Sequence, residues 1–252
     1  MTKDTERRSD AAVIIPMYNE CENAAAIIDA VLALDTPFDI LVVDDNSPDG
    51  TAAIVKKKIA EHPDRISIIE RSGKLGLGTA YIVGFKHCLE RGYEFICEMD
   101  ADFSHNPKDL ARLRQAAVDQ NADVVVGSRY VSGVNVVNWP MGRVLMSFFA
   151  SKYVRLITRI PIHDTTAGFV CYRRRVLETM DLDKIKFKGY AFQIEMKFTA
   201  YKYGFKVIEV PIVFVNRVLG TSKMNSGIFS EAMFGVIRLK WNSLFKKYTR
   251  KE

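Results

Sequence analysis

Phe95-Ile96-Cys97-Glu98-Met99-Asp100-Ala101-Asp102 is a short apolar run that closes on two acids, and residues 107–120 follow it with helical apolar spacing. A run this short, ended by polar residues and followed by a helix, reads as a buried strand feeding one β-α unit. Upstream the same unit recurs. Residues 11–16 are a β-branched run ended by Pro16, and residues 22–34 carry Ala26, Ile27, Ala30, Val31 and Leu34 at helical spacing. Residues 38–43 form a second buried strand, closed by the dense turn signal Asp44-Asp45-Asn46-Ser47-Pro48-Asp49-Gly50. A helix over 51–62, a strand over 66–70, a Gly-rich loop over 73–78 and a helix over 79–91 lead back to Phe95. Downstream, residues 123–127 read as another strand. Such alternation predicts an α/β fold, a mostly parallel central sheet with helices on both faces, as one domain over residues 1–252. Ligands of such sheets sit beyond the carboxyl ends of the strands. Pro16, Tyr18 and Glu20, Asp44 and Asp45, Asp100 and Asp102, and Ser128 and Arg129 all follow strand ends, so distant motifs converge on one edge.

The second half is less regular. Residues 141–160 and 228–248 are amphipathic, joining large apolar side chains to Arg143, Lys152, Arg155 and Arg159 in the first, and to Arg238, Lys240, Lys246 and Lys247 in the second. Between them, residues 192–203 read as a helix and 207–215 as a strand. The two amphipathic segments read either as helices packed on the core or as helices lying in the headgroup layer of an anionic membrane.

The chain of 252 residues is 48% hydrophobic and 26% charged, enough for a sizeable core. Its net charge of +6 suits an anionic partner such as nucleic acid, a phosphorylated substrate or acidic lipid. No nucleic-acid motif accompanies that charge, which argues against the first. Cys21, Cys88, Cys97 and Cys171 are scattered and form no C-x-x-C pair, which fits a reducing compartment better than a disulfide framework. The polar start is not a signal peptide, and no apolar stretch reaches the ~20 residues that cross a bilayer.

Asp100 and Asp102 stand two apart at a strand end. Such a pair suits Mg²⁺ or Mn²⁺, hard ions that take few protein carboxylates and keep places for water and substrate phosphates. The competing reading is a pair of solvated acids before the next helix. Glu98 alternates with them, although a residue inside the strand is expected to point elsewhere. Asp44 and Asp45 read as turn chemistry or as partners of a nucleoside. Gly73, Gly76 and Gly78 have the wrong spacing for a dinucleotide fingerprint and read as turn glycines. His105 and His163 lack metal-ligand partners and read as structural. Arg143 and Ser147 are four apart and share one helix face.

Nine strings together resemble family 2 glycosyltransferases, and more narrowly the dolichyl- or polyprenyl-phosphate mannose synthases. They are residues 13–20 (Val-Ile-Ile-Pro-Met-Tyr-Asn-Glu), 42–51, 76–81, 99–107 (Met-Asp-Ala-Asp-Phe-Ser-His-Asn-Pro), 126–131 (Val-Gly-Ser-Arg-Tyr-Val), 138–143, 164–169, 188–195 and 217–223. The resemblance implies a GT-A fold with a nucleotide-sugar donor held by Pro16, Tyr18, Glu20, Val43, Asp45, Asp100, Ala101 and Asp102, with Arg217 and Lys223 near its diphosphate. It implies a divalent metal, Mg²⁺ or Mn²⁺, on Asp100 and Asp102, with Ser104 at a third position where some members have glutamine. It also implies Arg129, Arg143 and Ser147 around the phosphate of a polyprenyl-phosphate acceptor, so that Asp102, Arg129 and Arg143 carry the catalysis. The expected reaction is inverting transfer of mannose from GDP-mannose. A UDP-glucose-dependent version and a non-catalytic nucleotide-sugar-binding module are the alternatives. A lipid acceptor favours the membrane reading of residues 141–160 and 228–248, at the cytoplasmic face and without a spanning helix. The sequence leaves open whether the chain acts alone or with a small membrane partner.

Overall fold

The computed structural model describes residues 9–189, 191–217 and 227–250, with side chains in the last segment from Met233 onward. The alternating half forms as its patterning dictates: β1 (Ala11–Met17), α1 (Cys21–Leu32), β2 (Asp39–Asp44), α2 (Thr51–Glu61), β3 (Ile66–Glu70), α3 (Leu77–Glu90), β4 (Phe95–Glu98), α4 (Asp109–Asp119) and β5 (Val124–Ser128). The remainder supplies β6 (Val136–Val137), α5 (Met141–Thr158), β7 (Val170–Arg173), α6 (Arg174–Thr179), α7 (Ala191–Lys202), β8 (Val207–Pro211), β9 (Phe214–Val215) and α8 (Gly227–Phe245).

Seven strands make the main sheet in the order β3-β2-β1-β4-β7-β5-β8, and β6 pairs with β9 apart from it. Strand order runs outward from β1 to β3 and then restarts on the other side of β1 with β4. That reversal opens a crevice between the β1 and β4 exits, the place where such sheets bind ligands. The pleat divides the core. Val13, Ile15 and Val42 pack with α1 and α4 on one face, while Ala12, Ile14 and Leu41 pack with α3 and α7 on the other.

Two expectations need correction. The single strand foreseen over 207–215 divides: β8 pairs with β5 as far as Pro211, and β9 then leaves to pair with β6. Val170–Arg173 was not foreseen as a strand, and it enters between β4 and β5 antiparallel to both. This reversed strand starts at the edge where its neighbours end, so the loop before it meets the residues that follow β4 and β5.

Glu98 is fully buried and points away from the two acids that follow it, toward α7, where Gln193 Nε2 donates to it at 2.9 Å. The equally buried Lys197 ammonium donates to the Ala167 carbonyl at 2.6 Å and to Gln193 Oε1 at 3.3 Å. Burial pushes Glu98 up to about 8 and Lys197 down to about 8, and each opposes the other's shift through its charge. Desolvation of such groups is costly, and removing one partner strands the other. Lys197→Met should therefore lower the unfolding free energy in urea by roughly 3 kcal/mol. Adding Glu98→Leu should restore at least half of that loss, and a double variant weaker than Lys197→Met alone would contradict the coupling.

Candidate active site

Three strand exits build the floor of the cleft, each turning on a residue with positive φ: Asn19 (53°), Asn46 (59°) and Phe103 (58°). Asparagine tolerates this region, whereas an aromatic residue there is strained, and such strain concentrates at functional turns. The first two turns are sewn together. The Asn19 N–H donates to Ser47 Oγ at 3.0 Å, the Glu20 N–H to Thr51 Oγ1 at 3.0 Å, and the Cys21 N–H to Asp49 Oδ2 at 3.0 Å. Asp44, one of the two acids that raised a choice, serves the turn by accepting from the Ser47 N–H and hydroxyl. Asp45 faces the cleft instead.

Pro16 and Val43 are register partners across β1 and β2, and Val43 is fully buried. The Asp45 carboxylate accepts from Arg71 Nε at 2.6 Å, and Arg71 Nη1 donates to Thr79 Oγ1 at 2.6 Å. Burial raises the Asp45 pKa while Arg71 opposes the rise. Arg71 is thus part of this wall, a residue the sequence reading did not single out; its position just after a strand was the available signal. The Lys74 ammonium lies 5.2 Å from the centre of the Tyr18 ring, so Tyr18, Asp45 and two cations share the wall. Gly76, with φ of 103°, caps α3, and Gly78 has Phe187 and Phe192 within 2.8 Å of where a Cβ would stand, so both act as turn and packing residues.

Asp100 and Asp102 follow β4. Asp102 is 7% exposed, accepts the Ser104 N–H at 3.0 Å on Oδ1, and pairs with Arg217 Nη2 at 2.8 Å on Oδ2. The side chain of Asp100 keeps 40% of its surface. Desolvation in the cleft floor and then the like charge of Asp102 push its pKa up to about 7, with Arg217 and Arg129 opposing. Its open edge admits water and moderates the first of these effects. Two crowded carboxylates at the mouth of a cleft call for positive charge, and a hard divalent cation that draws its other ligands from water and phosphate fits them. Among the described residues no third His, Cys, Asp or Glu completes a metal cluster. Ser104 is buried, and its hydrogen bonds here run through the backbone: its N–H to Asp102, and its carbonyl from the Val215 N–H at 3.2 Å. Ala101, also buried, fills the turn between the acids.

His105 is structural in its contacts. It stacks on Phe169 with centroids 4.7 Å apart, Phe214 meets its edge at 5.3 Å, and its Nδ1 accepts the Asp100 N–H at 3.3 Å. Burial lowers its pKa to about 4, which suits a neutral ring accepting at Nδ1.

The far wall carries the arginines. Arg129 is 8% exposed, and its Nε and Nη2 donate to the two oxygens of Asp164 at 2.7 and 2.6 Å, while its backbone N–H donates to Asp164 at 3.0 Å. Asp164 is fully buried, and despite that burial the guanidinium holds its pKa below the usual carboxylate value. The Arg129 guanidinium also lies 5.1 to 5.6 Å from the ring centres of Tyr130, Trp139 and Phe214. Arg143, on the first turn of α5, sits 4.0 Å over Trp139 and donates to Asn216 Oδ1 at 3.0 Å. Ser147 follows one turn later, half-buried beside Tyr130. One short segment therefore joins both walls: Phe214 packs on Arg129 and Trp139, Val215 bonds Ser104, Asn216 holds Arg143, and Arg217 pairs with Asp102. Phe214, Asn216, Trp139 and Asp164 received no individual role from the sequence. Lys223 lies outside the described residues.

Glycosyl transferase family 2 matches residues 12–181 of the chain. The polyprenol monophosphomannose synthase of Mycolicibacterium smegmatis is 49% identical over 224 residues, covering 89% of this chain and 84% of that protein. The undecaprenyl-phosphate mannosyltransferase of Micrococcus luteus is 44% identical over 235 residues, covering 92% and 96%. Among solved structures, a mannosyltransferase from Pyrobaculum calidifontis in complex with GDP-Man and Mn²⁺ superposes with a TM-score of 0.60 at 20% identity, over 95% of this chain and 65% of that one. Glucosyl-3-phosphoglycerate synthase from Mycobacterium tuberculosis, in complex with Mn²⁺, UDP and its product, gives a TM-score of 0.65 at 14% identity, over 94% and 80%. These two likenesses show the fold.

The geometry separates a built-in arginine from an available one. Asp164→Ala should cost roughly 3–5 kcal/mol of unfolding free energy, because it takes the bidentate carboxylate away from a buried guanidinium. Arg143→Ala should cost only about 1 kcal/mol, the scale of a stacked surface cation. Equal losses in urea unfolding would contradict this division.

Proposed function

Because the chain belongs to glycosyl transferase family 2, alongside the polyprenyl-phosphate mannosyltransferases, we propose that it transfers mannose from GDP-mannose to a polyprenyl phosphate with inversion, giving the β-linked lipid phosphate. The observation that carries this reading is the pairing of two unlike walls in one cleft: carboxylates at Asp100 and Asp102, and ring-stacked guanidinium groups at Arg129 and Arg143. One wall suits the leaving nucleoside diphosphate and the other an attacking phosphate.

In this reading Pro16, Tyr18, Glu20, Val43 and Asp45 line the nucleoside, Asp45 with its partner Arg71. Asp100 and Asp102 hold a Mg²⁺ or Mn²⁺ ion, which supplies positive charge to the departing diphosphate. Arg217 and Lys223 add charge on the same side. Arg129, Arg143 and Ser147 receive the acceptor phosphate through guanidinium forks suited to phosphate oxygens. Such a phosphate, with a second pKa of about 6, is largely ionised near neutrality and needs no protein base to remove a proton. The chain's contribution is orientation and charge placement. Ser104 supports Asp102 through its backbone and stands as a weak third ligand.

The acceptor's tail must stay in hydrocarbon, which assigns α5 and α8 to the membrane surface. Met141, Leu145, Phe149 and Leu156 on α5, and Phe234, Ile237, Trp241 and Phe245 on α8, are each about half or more exposed to solvent. The two helices pack on each other, and Val154 and Val236 meet Ile194 of α7 beneath them. Among the described residues no helix is long and apolar enough to cross a membrane. The thiol pattern of the chain suits the cytoplasmic face.

With radiolabelled donors and undecaprenyl or dolichyl phosphate, GDP-mannose should give a lipid-soluble product and UDP-glucose none. Asp102→Ala should lower turnover by roughly 10²–10³-fold, the scale for losing one preorganised charge partner. Product from UDP-sugars alone would reverse the donor assignment, and unchanged turnover in the variant would remove Asp102 from the mechanism.

A further inference from the structure

A second concavity, of about 290 Å³, lies on the flank of α5 and adjoins the arginine wall of the cleft through Tyr130, whose ring centre is 5.1 Å from the Arg129 guanidinium. Tyr130, Val134 and Phe148 give it apolar walls, and Lys152, Arg155 and His163 give it nitrogen. Phe148, Lys152 and Arg155 follow one another at four and three residues, so α5 presents them on one face. The Lys152 ammonium lies 4.6 Å from the centre of the Phe148 ring, which holds its charge beside the apolar wall. Among the described residues neither Lys152 nor Arg155 has a carboxylate within ion-pair distance, and no acid lines the concavity. His163 is already engaged, with Nδ1 at 2.8 Å from Glu209 Oε2, and Glu209 also accepts the backbone N–H groups of His163 and Asp164.

The neighbouring stripe of the same helix is the exposed row Leu145, Phe149 and Leu156. Lys152 stands in the spacing of both, four before Leu156 and four after Phe148. Two uncompensated cations beside an apolar wall, next to a row assigned to hydrocarbon, match one ligand chemistry: an anionic phosphodiester carrying acyl chains. A nucleic acid would find few stacking surfaces open on the cationic side, and a free phosphate would make no use of Val134 and Phe148.

We propose that the concavity formed by Tyr130, Val134, Phe148, Lys152 and Arg155 is a binding site for the head group of an anionic phospholipid, whose chains run along Phe149 and Leu156. This rests on the membrane reading of α5 and α8. It adds a site of fixed position, which shares Tyr130 with the surroundings of Arg129 and sets how the domain sits on the bilayer.

The test is co-sedimentation of the full chain with phosphatidylcholine vesicles, with and without phosphatidylglycerol. Lys152→Gln with Arg155→Gln should weaken binding to the anionic vesicles by several times more than the roughly thirtyfold that loss of two surface cations accounts for, at about 1 kcal/mol each, and leave binding to neutral vesicles unchanged. A control pair on α8, Arg238→Gln with Lys240→Gln, removes the same charge and should cost no more than that roughly thirtyfold. Both pairs should retain sugar transfer to a short-chain polyprenyl phosphate in detergent, which shows that they fold. Equal losses from the two pairs would overturn the site in favour of diffuse attraction, leaving the membrane reading intact. Failure of the unaltered chain to bind either vesicle would overturn both. Binding abolished on all vesicles by Phe149→Ser with Trp241→Ser, together with the selective loss from the concavity pair, would support both.

Discussion

The buried pair of Arg129 and Asp164 is the contact on which the arginine wall of the cleft depends. A guanidinium this buried would be untenable without a counter-charge, and Asp164 answers with both oxygens and with a bond to the Arg129 backbone. The pair fixes the exit of β5 against the loop that precedes β7. Around it gather Tyr130, Trp139 and Phe214, whose rings face the cation. Trp139 in turn supports Arg143. The second arginine is thus oriented through the first one's surroundings, although only the first is built into the core.

The opposite wall has the inverse problem. Asp100 and Asp102 crowd negative charge, and Arg217 relieves part of it by pairing with Asp102. The segment from Phe214 to Arg217 therefore reads both walls, one residue at a time. It is short because β8 ends at Pro211, after which the chain crosses to β6 and is free to pass between the two halves of the cleft. A change in this segment acts on the carboxylates and the arginines together.

Much of the first half was legible because most of its strands are largely apolar runs whose exits carry turn formers. Residues 66–70 are strand in the sequence reading and in the structure alike. The placement of Asp100 and Asp102 at a strand exit was legible for the same reason. Val170–Arg173 was not: four residues, Val-Cys-Tyr-Arg, carry no periodic signal, and they are a strand because β4 and β5 leave a gap that they fill. The partner of Arg129 was hidden with it, since Asp164 reaches the arginine only through that reversed strand. The proposed phosphate roles of Arg129 and Arg143 came from family resemblance, because an arginine on pattern alone is better read as a solvated or lipid-facing charge. Arg71, Trp139 and Asn216 gain meaning only from what they touch. Glu98 shows the limit of spacing arguments: it alternates with the two acids, yet the pleat turns it toward Gln193.

The insertion of β7 also orders events as the polypeptide collapses. The units from β1 to β4 can assemble from neighbours in sequence, and the strand exits that carry Asp45, Asp100 and Asp102 come with them. β4 and β5 cannot join directly, since each awaits a strand that begins only at Val170. Contacts of such long separation form late, because loop closure must precede their reward. Until then the growing chain carries unsatisfied edges on β4 and β5, which are templates for mispairing with other chains. Completion of the arginine wall thus waits on the arrival of β7, and a polypeptide in which Arg129 has met Asp164 is one that has already covered the edges of β4 and β5 that β7 occupies.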